Sequence, residues 1–167
     1  METMRVAFKN PWRILCWLLV AGTILMIFTF SGQDGTESAG VSLRVTRALV
    51  TVLGGESMDE NTAQFEWMHH LVRKAAHATI YCMLALSCIA LTHTYPLAPR
   101  VRYLLSAGVC LACASVDELQ QTFRSGRVGA VTDVLIDMSG ALLGLALFGF
   151  VWALVKRCRQ AGVPRVQ

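Results

Sequence analysis

The sequence predicts an all-α membrane protein with four transmembrane helices and an amphipathic helical connector between the first helix and the second. Hydrophobic residues make up 54% of the 167 residues and charged residues only 16%. That balance is typical of polytopic membrane proteins and excludes an ordinary soluble domain. The length predicts a single domain over residues 1–167. The net charge of +4 is carried mainly at the ends of apolar runs, which indicates membrane orientation rather than nucleic-acid binding.

The first transmembrane helix is predicted over about residues 12–30, after a short basic segment. The run is close to the roughly 20 residues that a bilayer core requires. A secretory signal peptide begins in the same way, but the sequence FTFSGQ that closes the run is a poor cleavage site. We therefore expect an uncleaved helix that ends near Ser31.

The amphipathic connector is predicted within the polar interval of residues 34–72. Apolar residues recur there at spacings of three or four, which is the pattern of a helix with one apolar face. They are Val41, Val45, Ala48 and Val52. The pair Gly54-Gly55 stops this helix, and a second helical pattern starts at Asn61 or Thr62 and continues into the next apolar run. We favour a connector at the membrane surface, and a lid over a site is the alternative.

The second transmembrane helix is predicted over about residues 75–94, and the third over about residues 103–121. The apolar part of the third run stops after fourteen residues, too few to cross a hydrocarbon core near 30 Å. We expect the helix to continue to Gln121, which brings Asp117 and Glu118 to the membrane boundary. The alternative is a segment that enters the membrane without crossing it.

The fourth transmembrane helix is predicted over about residues 131–155. Asp133, Asp137, Gly140 and Gly144 share one stripe of it, because they lie three or four residues apart. A Gly-x-x-x-Gly pair permits close helix contact, and we expect this contact within the chain rather than across a dimer seam. The oligomeric state is left open.

The orientation follows from the basic residues. Four spans place both termini on one side, where nine Lys and Arg residues lie against six on the other side. The positive-inside rule then predicts cytoplasmic termini. Polar residues from all four helices would meet at the opposite, outer surface and form one polar cluster. The polar cluster comprises Ser31, Gln33, Arg73, Lys74, His77, Tyr81, Asp117, Glu118, Gln121, Arg127, Asp133 and Asp137.

Two explanations of the polar cluster are open. Ionisable groups within a membrane segment cost about 2.5–3.5 kcal/mol each on insertion scales, which favours a binding or catalytic pocket. The alternative is a neutral network that only joins helix ends, in which Arg73 is the first candidate partner of Asp133. The charges balance four against four: Arg73, Lys74, Arg124 and Arg127 face Asp117, Glu118, Asp133 and Asp137.

Four motifs in this order resemble the VanZ-like family of small bacterial integral membrane proteins, over roughly residues 12–155. The motifs are FSGQ at residues 30–33, RKAAH at 73–77 followed by Tyr81, DELQQ at 117–121, and Arg127 followed by TDVLIDMSGALLG. The chain departs from the family pattern at Gly32, where a second Ser is usual, and at Gln120, where His is usual. The resemblance implies a multi-pass protein of the bacterial cytoplasmic membrane. It also implies a connection with the cell envelope, since the founding member is associated with resistance to the glycopeptide teicoplanin.

The favoured hypothesis is a non-enzymatic protein that binds an envelope lipid or lipid-linked precursor, or alters glycopeptide access to it. Arginine and lysine side chains of the polar cluster would hold a phosphate or carboxylate head group. This hypothesis requires no cofactor, metal or nucleic acid.

The alternative is a membrane-embedded enzyme acting on a lipid-linked substrate. His77 would be the general base beside Asp117, Glu118, Asp133 and Asp137, with a divalent cation as an option, for which Mg²⁺ or Ca²⁺ would suit the carboxylates better than Zn²⁺. A third hypothesis, less favoured, takes Cys110-x-x-Cys113 as a redox pair.

Overall fold

The computed structural model describes residues 11–31, 35–52, 62–123 and 131–161. Within these residues the chain forms five α-helices and no strand, which confirms the predicted all-α class. The helices are α1 (Pro11–Ser31), α2 (Gly35–Val52), α3 (Ala63–His93), α4 (Pro99–Thr122) and α5 (Val131–Ala161).

Helix α3 is as long as α5, at 31 residues each, and begins earlier than the predicted second span. Thr62 caps its first turn, because the Thr62 hydroxyl accepts a hydrogen bond from the Phe65 amide at 3.3 Å. The pattern assigned to the end of the connector is therefore continuous with the span itself. Its 31 residues extend over about 46 Å at 1.5 Å per residue. The prediction that a helical pattern starts at Asn61 or Thr62 and continues into the next apolar run is confirmed.

Helix α3 packs against each of the other four described helices. Its N-terminal part contacts the start of α5 through Lys74 and Asp133, and its C-terminal His93 ring contacts the ring of Phe148 further along α5. The two helices therefore run parallel.

Helix α1 runs antiparallel to α3, since Arg13 at its start bonds Thr94 at the end of α3. Helix α4 does so too, because Arg102 near its start bonds Tyr95 just after α3, while Asp117 near its end lies beside His77.

The contact between α3 and α5 depends on two glycines. A Cβ at Gly144 would lie 2.6 Å from the Cys82 carbonyl oxygen, and a Cβ at Gly140 would overlap the backbone of Ala78. Neither position has room for a larger side chain. The predicted close contact of the Gly140-x-x-x-Gly144 stripe is thus confirmed as an intramolecular one.

The surface of the described residues is apolar where a soluble protein is polar. Leu18, Leu25 and Leu143 are 64–69% exposed, whereas Asp117 and Asp137 are at most 2% exposed. That inversion suits a protein surrounded by lipid. By length and composition, three of the described helices could cross a membrane: α1, α3 and α5.

Helix α4 is the third predicted span, and it continues to Thr122 as expected. Its 24 residues measure about 36 Å, enough to cross a bilayer core. The acids in its last two turns lower its hydropathy, and α4 is not among the three apolar candidates. Asp117 and Glu118 are nevertheless buried against the protein rather than exposed on its surface.

Helix α2 lies in the interval where the amphipathic connector was predicted. Thr46 and Val50 are its buried residues, while Val45 and Val52 of the predicted apolar stripe are exposed. A 2.6 Å hydrogen bond between the Ser42 hydroxyl and His69 Nε2 attaches α2 to the first turns of α3. The predicted stop at Gly54-Gly55 lies outside the described residues.

Candidate functional site

The candidate site lies where α3, α4 and α5 meet, at the end of the bundle that holds the polar cluster. Helix α4 brings Asp117, Glu118 and Gln121 to it, and each is at most 8% exposed. Asp117 and Gln121 are one turn apart, and the Gln121 amide donates to the Asp117 carboxylate at 3.3 Å. Acidic side chains next to lipid carry a high free-energy cost, and the fold places these acids inside the helix bundle instead.

His77 connects α3 to these acids. Its Nδ1 lies 3.8 Å from Oδ1 of Asp137 on α5. One ligand atom each from His77, Asp117 and Asp137 lie within 4.8 Å of one another. The glycine contact one turn further along α5 sets this spacing, because it holds the two helix backbones unusually close. Three helices thus deliver an imidazole and two carboxylates to one point.

Tyr81 lies one turn after His77 on the same face of α3. The residue is fully buried, and its hydroxyl has no hydrogen-bond partner within the part of the chain that the structure describes. The phenol interacts electrostatically with Asp117 and Asp137. Buried hydroxyl groups are normally bonded, so this one is available to a further ligand.

Lys74 and Asp133 form an ion pair at the edge of the site. Lys74 Nζ lies 2.7 Å from Oδ1 of Asp133, and the side chains are 28% and 40% exposed. The hypothesis that pairs Arg73 with Asp133 is therefore wrong, because the adjacent lysine occupies that carboxylate. This pair is separate from the buried trio of His77, Asp117 and Asp137.

A cavity of about 400 Å³ lies beside the site, between α1, α2 and α3. Its wall is mainly apolar, with several polar side chains among the lining residues. The apolar side chains include Ile27, Phe30, Val45, Leu49, Val72 and Ile80, and the polar ones include Ser31, Arg73, His77 and Tyr81. His77 and Tyr81 thus belong both to the cavity and to the acid-lined site.

The structure brings most of the predicted polar cluster together. Eight of its members lie at the junction of α3, α4 and α5: Lys74, His77, Tyr81, Asp117, Glu118, Gln121, Asp133 and Asp137. Ser31 and Arg73 line the adjacent cavity. Gln33 and Arg127 lie outside the described residues, as does Arg124.

Sequence analysis did not predict the cavity. Its signal was present in Val45 and Leu49, which lie four residues apart on one face of α2 and border the cavity. The redox hypothesis for Cys110 and Cys113 gains no support, because both are free thiols and Cys110 lies with Cys88 of α3 in the apolar core. The thiols of Cys88 and Cys110 are buried there, as expected for packing residues.

Fold and site together define a helical membrane protein with a buried imidazole–carboxylate site opening beside an apolar cavity. The family model described as VanZ/LLP1 matches residues 14–153. The chain belongs to this VanZ-like family, as the motifs predicted. No curated protein and no solved structure matches the chain.

Proposed function

We propose that the protein binds an envelope lipid or a lipid-linked precursor. The hydrocarbon chain would lie in the cavity, and the head group would lie beside the polar side chains that line it. The observation that carries this proposal is the cavity itself. It is lined by apolar side chains of three helices and also by the polar side chains of Arg73, His77 and Ser31. Its volume of about 400 Å³ falls within the range of small-molecule sites.

The apolar and the polar side chains that line the cavity suit the two parts of an amphiphile. Ile27, Phe30 and Leu49 offer apolar contact, which gains about 25 cal/mol for each Å² removed from water. Arg73 offers a guanidinium group that holds phosphate or carboxylate through charge-assisted hydrogen bonds. Binding of this kind needs no bond to be made or broken, so the proposed protein is not an enzyme.

We place the protein in the bacterial cytoplasmic membrane with four crossing helices, α1, α3, α4 and α5, and with cytoplasmic termini. The support is the distribution of Lys and Arg and the path of α4, which runs antiparallel to α3 between the same two ends of the bundle. The cavity then faces the outer leaflet. A protein that holds a lipid-linked precursor there would alter the access of glycopeptides such as teicoplanin to that precursor.

Native mass spectrometry of the protein released from membranes tests the proposal. Wild-type protein is expected to retain an endogenous amphiphile with an acidic head group. Leu49→Trp fills the cavity and should reduce the bound fraction by about tenfold or more, equivalent to at least 1.4 kcal/mol of binding free energy. Leu143→Trp is the matched control, because Leu143 is 66% exposed on α5. Equal retention by both variants would refute binding in this cavity.

A second candidate function is a membrane-embedded enzyme with His77 as general base. The observation that favours it is the position of His77, which borders the cavity and lies 3.8 Å from Asp137. A base must reach the proton it removes from a bound substrate, and a head group in the cavity would be adjacent to His77.

A further inference from the structure

We propose that His77, Asp117 and Asp137 form a binding site for one divalent cation, with the Tyr81 hydroxyl as a fourth group facing it. The site goes beyond the proposed lipid binding, which needs the cavity and Arg73 but no metal. It also differs from the cation option considered from the sequence, because it excludes Asp133, which Lys74 holds in an ion pair.

The first argument is distance. The ligand atoms of the trio lie within 4.8 Å of one another. Two ligands of one ion are separated by at most twice the metal–ligand distance, or about 4.2 Å for bonds near 2.1 Å and about 5 Å for bonds near 2.5 Å. The 3.8 Å between His77 Nδ1 and Asp137 Oδ1 is too long for a hydrogen bond. It fits two ligands on one ion.

The second argument is the burial of two carboxylates close to each other. Asp117 and Asp137 are 0% and 2% exposed, and two carboxylates so close oppose each other's ionisation. A dication bound to both carboxylates and to a neutral imidazole makes the whole group neutral. That balance lowers the cost of holding two acids inside a membrane protein.

The third argument is the Tyr81 hydroxyl, which is independent of the trio. It is fully buried and has no hydrogen-bond partner among the described residues. It interacts electrostatically with both carboxylates of the proposed site. An ion, or a water molecule on the ion, would give this hydroxyl the partner that buried polar groups normally have. Gln121 completes the surroundings, because its hydrogen bond orients the Asp117 carboxylate.

The ligand set indicates which cation to expect. One imidazole nitrogen with two carboxylate oxygens suits Mn²⁺, since imidazole favours transition metals and carboxylate accepts the harder Mn²⁺. Zn²⁺, with bonds near 2.1 Å, requires the ligand atoms to lie within about 4.2 Å of one another, closer than the 4.8 Å limit found here. His77 also borders the cavity, so the ion would lie beside the head group of a bound amphiphile. The trio comes from three helices, and binding would therefore link α3, α4 and α5.

Titration with Mn²⁺ alone tests the proposal. The protein is washed in a phosphate-free non-ionic detergent until mass spectrometry detects no bound amphiphile, and then with chelator, so that lipid phosphate cannot bind the ion. Free Mn²⁺ is then followed by electron paramagnetic resonance. Wild-type protein is expected to bind one ion per chain. Asp137→Asn and Asp117→Asn should each weaken binding by about tenfold or more, and Tyr81→Phe by less.

Glu66→Gln is the control, because Glu66 is an exposed acid on the first turn of α3 and should leave the affinity unchanged. Electron spin-echo modulation of Mn²⁺ bound to the wild type provides a measurement that does not depend on how the variants fold. A histidine nitrogen signal in the wild type supports the site, and its loss in His77→Gln assigns the signal to His77. No saturable binding, no nitrogen signal, or equal affinity in Asp137→Asn and Glu66→Gln overturns it. Because no lipid takes part, such a failure leaves the cavity proposal intact.

Discussion

Oδ1 of Asp137 lies 3.8 Å from Nδ1 of His77, across a contact between parallel helices that leaves no room for a side chain at Gly140. Asp137 and Gly140 are less than one turn apart on α5, and His77 faces them from α3. The packing of α3 against α5 therefore determines the distances within the site. A change that separates α3 from α5 is expected to disturb the site even when every polar residue is retained.

Gly140→Ala should destabilise the protein, because its new methyl group would overlap the Ala78 backbone. Overpacking of this kind typically costs about 1–3 kcal/mol, measured here as a lower melting temperature in detergent. Gly108→Ala on α4 is the matched control, since a Cβ at Gly108 meets nothing within 4 Å. Its stability should be unchanged or slightly higher, because alanine is the better helix former. Equal melting temperatures would contradict the close contact.

Lys74 and Asp133 should show a measurable coupling in a double-mutant cycle of alanine substitutions. Their 2.7 Å ion pair is partly exposed, so a coupling of about 0.2–1 kcal/mol is expected in detergent melting. The cycle of Arg73→Ala with Asp133→Ala is the control and should be additive. Coupling of Arg73 rather than Lys74 would show that the carboxylate has the other partner.

The identity of the base that binds Asp133 illustrates what the sequence could predict and what it could not. Polarity and spacing place Lys74, Asp133 and Asp137 in one cluster, because residues three or four apart share a helix face. Adjacent residues such as Arg73 and Lys74 point in directions about 100° apart. Choosing between them requires the rotation of α3 against α5, and that rotation is set by packing.

The helix ends could be predicted from the sequence, whereas the cavity could not. Thr62 was predictable as a helix start, because a threonine before an apolar pattern is a typical N-cap. The apolar stripe of α2 predicted a helix with one apolar face. Where that helix lies against α1 and α3 depends on contacts between segments distant in sequence, such as the hydrogen bond of Ser42 with His69. The cavity formed there was therefore not predictable.

Arg13 should stabilise the opposite end of the bundle. Its guanidinium donates to the Thr94 carbonyl at 2.6 Å and lies 4.4 Å from the centre of the Tyr95 ring. A cation at a helix C-terminus with a ring contact contributes about 1–2 kcal/mol. Arg13→Ala should lower the melting temperature, and Arg13→Lys should do so less. Arg100→Ala is the control, since it removes an exposed charge from the same end; an equal loss in both would contradict a specific role.

Cytoplasmic termini can be checked by cysteine labelling. Single cysteines at Thr36 and Arg165, in a background without Cys158, are treated with a membrane-impermeant thiol reagent on intact cells. The distribution of Lys and Arg predicts labelling at Thr36 and not at Arg165. After the cells are permeabilised, both positions should react, which controls for thiol reactivity. Labelling only at Arg165 in intact cells would reverse the orientation.

Binding and catalysis predict different effects of conservative substitutions around the cavity. A site that holds an acidic head group depends on fixed positive charge, so Arg73→Ala should lower the amount of co-purified amphiphile by tenfold or more. His77→Gln keeps a hydrogen-bonding side chain of similar length and should reduce retention only a few-fold. The measurement is the quantity and mass of amphiphile bound per chain, at equal membrane abundance of each variant.

The mass of the bound amphiphile separates the two functions directly. Incubation of the wild-type protein with a membrane lipid extract should return every lipid with its mass unchanged, because a binding protein makes and breaks no bond. A positioned general base contributes about 10²- to 10⁴-fold in rate, so an enzyme that uses His77 would lose nearly all turnover in His77→Gln. A lipid product formed by the wild type and not by His77→Gln, with Arg73→Ala still active, would exclude the binding function and identify an enzyme.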